Sequence, residues 1–133
     1  MHSLITGPYS KFNVGCTLLL NKSTPLGSTI SGANIENAAY PVGTCAERVA
    51  FGTAIFSGLG LGDFKAIAVS TNIDEPCSPC GMCRQFIREF CDLSVPIFMF
   101  NKDGKYTVKT LGDLLPMSFG PDALKKHDAA RSS

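Results

Sequence analysis

The sequence predicts an α/β fold: one domain of about five strands with helices on the faces of their sheet. Three observations carry this. Strand-like apolar runs alternate with stretches of helical spacing, in the order ββαβαββ followed by a late helix. The length, 133 residues, suits one domain and can bury about two-thirds of its unfolded surface without staples. No internal repeat, low-complexity tract or linker divides the chain. The domain is therefore read as 1–133, with 122–133 expected to fray because it ends in the polar run K-K-H-D-A-A-R-S-S.

Each element has a local reason. Residues 12–20, F-N-V-G-C-T-L-L-L, and 29–35 read as strands, and the turn-like N-K-S-T-P-L-G-S between them makes the pair a hairpin. Residues 45–57 carry apolar side chains at 46, 49, 50, 54 and 55, which is helical spacing; Gly58 closes the helix and Thr44 is the expected N-cap. The run G-L-G-L-G at 58–62 follows a helix rather than a strand, so it reads as a helix end and loop, not a dinucleotide fingerprint. K-A-I-A-V-S-T (65–71) is a buried strand. Residues 81–91 form a helix with Phe86, Ile87 and Phe90 on one face. V-P-I-F-M-F (95–100) is a second buried strand, N-K-D-G-K a turn, Y-T-V-K-T (106–110) an edge strand, and 111–115 a short helix.

Composition excludes several classes of function. Twelve Lys and Arg against eleven Asp and Glu leave a net charge of +1, which rules out a nucleic-acid binder working by bulk charge. Only 17% of residues are charged while 44% are hydrophobic, so the chain has little polar surface and is expected to oligomerise. The opening M-H-S-L-I-T-G-P has no basic n-region or sustained apolar run, and nothing approaches the ~18 apolar residues of a membrane span. These features point to a cytoplasmic protein.

Six cysteines stand at 16, 45, 77, 80, 83 and 91, three of them inside C-S-P-C-G-M-C. That clustering suits metal or redox chemistry in a reducing compartment rather than a disulfide framework. The two histidines, His2 and His127, lie near the ends and outside any motif, so a soft-metal site must be built from thiolates. Cys45 opens one helix; Cys80 and Cys83, three apart, open another and share a face. Two helix N-termini bearing three thiolates make a tetrahedral zinc site with one open position, and the helix dipoles favour the thiolate form. Glu47, two residues after Cys45, adds the carboxylate of a catalytic site. Other readings remain open. C-x-x-C alone also fits a thioredoxin-like dithiol, although that leaves C-A-E unexplained. Cys77, Cys16 or Cys91 could close the site into a structural zinc. Cys77, Cys80 and Cys83 also begin an iron–sulfur spacing, but the next cysteine, Cys91, comes too late for it. Cys16 and Cys91 sit in apolar surroundings and read as core fillers.

Zinc deaminases share the signature His or Cys, x, Glu, then Pro-Cys-x-x-Cys, present here as Cys45-Ala46-Glu47 and Pro79-Cys80-Gly81-Met82-Cys83. More widely, the chain resembles the small homotetrameric zinc-dependent cytidine deaminases. The matching segments are G-P-Y-S-K-F-N-V-G (7–15), G-A-N-I-E-N-A-A-Y-P (32–41), T-C-A-E-R (44–48), S-P-C-G-M-C-R-Q (78–85) and L-L-P-M-S-F-G-P (114–121), in the family's order. Members of that family carry a helix ahead of the P-Y-S motif; seven residues precede Pro8 here.

The resemblance implies a three-layer αβα sandwich with a mixed sheet, and one Zn2+ per chain held by Cys45, Cys80 and Cys83. Glu47 would be the proton shuttle and Arg48 would hydrogen-bond the thiolates. Asn34 and Glu36 would hold the ribose hydroxyls from one face of a strand, and Phe12 would line the nucleoside pocket. The Ala46 N–H and Ser78 carbonyl would read the pyrimidine edge. Tyr40 and Phe119 would reach in from neighbouring subunits of a tetramer with shared active sites. The implied activity is hydrolytic deamination of cytidine and 2′-deoxycytidine in pyrimidine salvage. The alternatives are a deaminase of an aminoacylated cytosine nucleoside antibiotic and a non-catalytic module with a structural zinc. A pocket closed by partner subunits suits a free nucleoside and excludes nucleic acid.

Overall fold

The computed structural model describes residues 14–25, 27–35 and 44–121. Among the described residues, five strands and three helices follow one another: β1 (Val14–Thr24), β2 (Gly27–Ala33), α1 (Ala46–Phe56), β3 (Phe64–Thr71), α2 (Gly81–Phe90), β4 (Pro96–Phe100), β5 (Tyr106–Thr110) and α3 (Leu111–Leu114). The sheet order is β2-β1-β3-β4-β5. β1 runs antiparallel to both β2 and β3, β3 is parallel to β4, and β5 returns antiparallel along the edge. This is the expected α/β fold on a mixed five-stranded sheet.

Element types agree with the periodicities; β2 falls at 27–33 rather than 29–35, and two further boundaries move with an identifiable cause. The hairpin is tighter than the turn residues at 21–28 implied. β1 runs on to Thr24, with a register shift after Leu19 before Thr24 meets Gly27. The reason is a competing set of partners: the Asn21 N–H donates to Asp63 O at 2.9 Å and its amide to Gly62 O at 2.8 Å, drawing this stretch onto the loop before β3. Second, the N-cap of α1 is Cys45, not Thr44, because Thr44 is paired with Ile35 in an isolated bridge. At its other end α1 closes as expected. Gly58 takes φ +94°, and the N–H groups of Gly58 and Leu59 reach Ile55 O and Ala54 O at 3.0 and 3.1 Å, a Schellman ending.

Connection handedness places the helices. β2 and β3 are mutually parallel, as are β3 and β4, and both crossovers advance across the sheet in one direction. Right-handed crossovers then put α1 and α2 on the same face. The packing agrees: Phe51 of α1 lies edge-on to Phe64 of β3 at 4.9 Å and contacts Phe86 and Phe90 of α2 at 6.4 and 6.3 Å. Beneath them lie Cys16, Leu18, Ile67, Val69 and Ile97, all buried. Gly32 permits the close seat of α1 on β2, since a Cβ there would fall 2.6 Å from the Ala50 backbone nitrogen. Because β2 and β3 are parallel, the helices that follow them both start at the same edge of the sheet, where open α/β sheets hold their ligands.

Candidate metal centre

The two long helices begin at that edge with a cysteine each. Cys45 caps α1 and Cys80 caps α2, both in extended backbone conformation, and neither side chain caps its own helix. Cys83 lies in the first turn of α2 and is fully buried. The three sulfurs lie within 4.8 Å of one another, with Cys45 and Cys80 Sγ 3.9 Å apart. Zinc–sulfur bonds of about 2.3 Å in tetrahedral geometry require sulfur–sulfur spacings of about 3.8 Å, so the trio fits a zinc ion.

The surroundings fit as well. An Arg48 Nη donates to Cys45 Sγ at 3.8 Å. The hydrogen bond to Cys45, opposed by burial and aided by the charges of Cys45 and Cys83, raises the Arg48 pKa above its already high value. Arg48 Nε is buried and has no hydrogen-bond partner among the described residues. Three thiolates carry three negative charges; a divalent ion and this guanidinium together supply three positive ones. Without a metal the thiols diverge. Burial, then the Glu47 charge and the neighbouring thiols, push Cys83 far up. Burial also pushes Cys80 up, but the Cys83 N–H and the Cys83 and Cys45 thiols outweigh it, and Cys80 lies below its usual value.

Glu47 is 4% exposed, an uncommon setting for a carboxylate, and its charge is felt at Cys80, Cys83 and Cys16. The remaining cysteines stand apart. Burial, then Glu47 and Cys91, drive the Cys16 thiol up, and burial with Asp92 lifts Cys91 to about 12, so both stay protonated in the core as expected. Cys77 donates to Glu75 O at 3.6 Å and does not join the trio, which gains no fourth cysteine among the described residues.

The other expected site residues are placed unevenly. Ala46 is buried in the first turn of α1, beside Cys45. Ser78 is exposed, and its hydroxyl accepts from Arg84. Asn34 lies one residue beyond β2 rather than on it, so strand alternation does not set its direction. Its Oδ1 accepts from the Val14 N–H at 3.1 Å. The neighbouring Ile35 and Thr44 exchange two hydrogen bonds of 2.7 Å, which brings this segment alongside Cys45. Phe119 projects, 59% exposed, beside fully exposed Met117. Phe12, Glu36 and Tyr40 lie outside the described residues.

One group of side chains was not singled out in the sequence. Arg84, Gln85 and Arg88 of α2 hold the end of α3 and the segment after it. Arg84 donates to Leu114 O at 2.8 Å, Gln85 to Phe119 O at 2.8 Å, and Arg88 to Ser118 Oγ at 3.0 Å. Gly120 lies so flat on the Arg88 guanidinium that a Cβ would collide with it. The i, i+4 spacing of the two arginines was the available signal for a shared face.

Known proteins with this sequence pattern and fold agree. A family model described as the cytidine and deoxycytidylate deaminase zinc-binding region matches residues 2–99. A cytidine deaminase of Sporosarcina psychrophila is 44% identical over 117 residues, covering 88% of this chain and 82% of that protein. The crystal structure of a cytidine deaminase from Burkholderia pseudomallei superposes with a TM-score of 0.78 at 38% identity, covering 89% of this chain and 98% of that one. A blasticidin-S deaminase of Bacillus cereus is more distant, 33% identical over 119 residues, covering 83% of this chain and 79% of that protein. With its three thiols gathered at two helix N-termini beside a buried carboxylate, the chain belongs to the cytidine and deoxycytidylate deaminase family.

Proposed function

We propose that the protein deaminates cytidine and 2′-deoxycytidine hydrolytically, giving uridine and 2′-deoxyuridine with release of ammonia, and that Cys45, Cys80 and Cys83 hold one Zn2+ for the purpose. The observation that carries this is the buried Glu47 carboxylate set against an open trio of thiols. When bound, zinc supplies the Lewis acidity that makes water a nucleophile at neutral pH.

The chain's own groups handle the protons. Glu47 accepts a proton from the attacking water and delivers it to N3 while the water oxygen bonds to C4. Glu47 then takes the remaining hydroxyl proton and passes it to the exocyclic amino group. The C4–N bond breaks, ammonia leaves, and Glu47 is returned unprotonated. Arg48 moderates the excess negative charge of the thiolates, which would otherwise blunt the metal. The Ala46 N–H, an orphan donor at a helix start, and the Ser78 carbonyl orient the base. Asn34 and Glu36 hold the ribose, and Phe12 lines the pocket.

The working unit is a homo-oligomer, a tetramer in this reading, with Tyr40 and Phe119 completing a neighbour's pocket. Support comes from the low charge of the chain and from Met117 and Phe119, large apolar side chains left on the surface. The partner is a free nucleoside; no helix among the described residues is long and apolar enough to cross a membrane. The cytoplasmic setting and a place in pyrimidine salvage belong to the same reading. The test is an ultraviolet assay on cytidine, 2′-deoxycytidine, cytosine and blasticidin S, before and after chelation. Turnover of the first two that chelation abolishes and zinc restores is the expected result. Turnover of blasticidin S alone would move the protein to the antibiotic deaminases, and tightly held zinc without turnover would make the site structural.

A further inference from the structure

We propose that Arg84 is a positioning residue for the metal centre: it holds the Ser78–Pro79 segment, and through it the Cys80 thiol, at a fixed angle to the start of α2. This rests on the metal-site reading above. The three thiols are not equally anchored. Cys83 is fully buried within its helix, whereas Cys80 is exposed and sits at the N-cap, where the core does not hold it. The Arg84 guanidinium reaches back across the first turn and donates in three directions. Nε meets Pro79 O at 2.7 Å, one Nη meets Leu114 O at 2.8 Å, and the other meets Ser78 Oγ. The Pro79 carbonyl belongs to the peptide plane that carries the Cys80 nitrogen, so this bond sets the plane from which the Cys80 side chain departs. Pro79 is itself fully buried, which fixes the far side of that plane. The bond to Leu114 ties the assembly to the end of α3, so the loop is held from two elements.

Arginine is suited to this task and lysine is not. A planar fork offers five N–H groups in fixed directions, and three directions are used here, while one ammonium on a flexible stem satisfies such divergent acceptors poorly. Groups that orient metal ligands typically govern metal affinity or activity by 10–100-fold.

The experiment compares wild type with Arg84→Met and Arg84→Lys, and uses Cys80→Ala as the reference for loss of a ligand. Zinc affinity is measured by competition with a chromophoric chelator, and the ligand field by the absorption spectrum of the Co2+-loaded protein, both well below the melting temperature. Arg84→Met is expected to weaken zinc binding roughly 10–100-fold and to displace the cobalt bands, with Arg84→Lys between it and wild type. A role confined to stability would lower the melting temperature and leave both readouts of the folded protein at wild-type values, and that result overturns the proposal. If Arg84→Met does not fold, Ser78→Ala decides: it removes only one acceptor and is expected to move the cobalt bands the same way by less, while an unchanged spectrum overturns the proposal. A wild-type chain that bound no zinc would overturn the metal-site reading too, whereas zinc bound equally by wild type and Arg84→Met would overturn the positioning role alone.

Discussion

Helix α1 meets the sheet through Ala46, Ala50, Phe51 and Ala54, small and aromatic side chains that bury completely, Phe51 against Phe64 of β3. Helix α2 buries Cys83, Ile87 and Arg88, and turns Arg84, Gln85 and Arg88 toward the end of α3 and the segment that follows it. Both helices deliver thiols to one point, yet one is held by close packing and the other by packing of Ile87, Phe86 and Phe90 together with directed hydrogen bonds. The difference bears on function. Packing is tolerant of direction and intolerant of volume, so it suits the helix that buries the Glu47 carboxylate. Hydrogen bonds fix angles, so they suit the helix whose exposed N-cap sulfur needs its direction set.

The sharpest probe of α1 is Glu47→Gln, an isosteric change that removes the proton acceptor. Turnover of cytidine is expected to fall by at least ~10²–10⁴-fold while zinc stays bound at one per chain. Retention of a tenth of the wild-type rate would reduce α1 to a supplier of one ligand. Next comes the packing itself. Phe51→Ala is expected to cost about 3–5 kcal/mol in urea unfolding, since Phe51 is fully buried and contacts three other rings. Phe90→Ala, on the half-buried side of α2, should cost only about 1–2 kcal/mol. Equal losses would erase the contrast between the helices. Gly32→Ala presses a methyl into the α1 backbone and is expected to destabilise by about 1–3 kcal/mol, whereas Gly52→Ala, which meets open space on the outer face of α1, should not destabilise. The smallest effect is assigned to Cys77→Ser, which should leave zinc content and turnover at wild-type values; metal loss there would add a fourth ligand on the α2 side and close the site.

The nature and order of the elements were legible in the sequence because their causes are local. The continuous apolar run in K-A-I-A-V-S-T and helical spacing from Ala46 to Ile55 need no knowledge of neighbours, and Gly58 ends α1 for a reason internal to its own backbone. The thiol trio was legible for the same reason: Cys45, Cys80 and Cys83 announce themselves by type, spacing and position at helix starts. Boundaries shifted where a distant partner competed. Asn21 bonds the loop before β3 and lengthens β1, and Ile35 takes Thr44 away from the cap.

What only the tertiary structure decided were relations between residues far apart in the chain. Placing β1 between β2 and β3 makes those two strands parallel, and that sends both helix starts to one edge of the sheet. The Asn34 amide oxygen found its partner at Val14, twenty positions away, rather than following the strand alternation its sequence suggested. Arg84 reads as an ordinary helix-surface cation until Leu114, thirty positions on, arrives beside it. Hydrogen bonds of this kind depend on direction across folded elements, which no periodicity encodes; apolar burial and backbone preference depend on composition and spacing, and these are written along the chain.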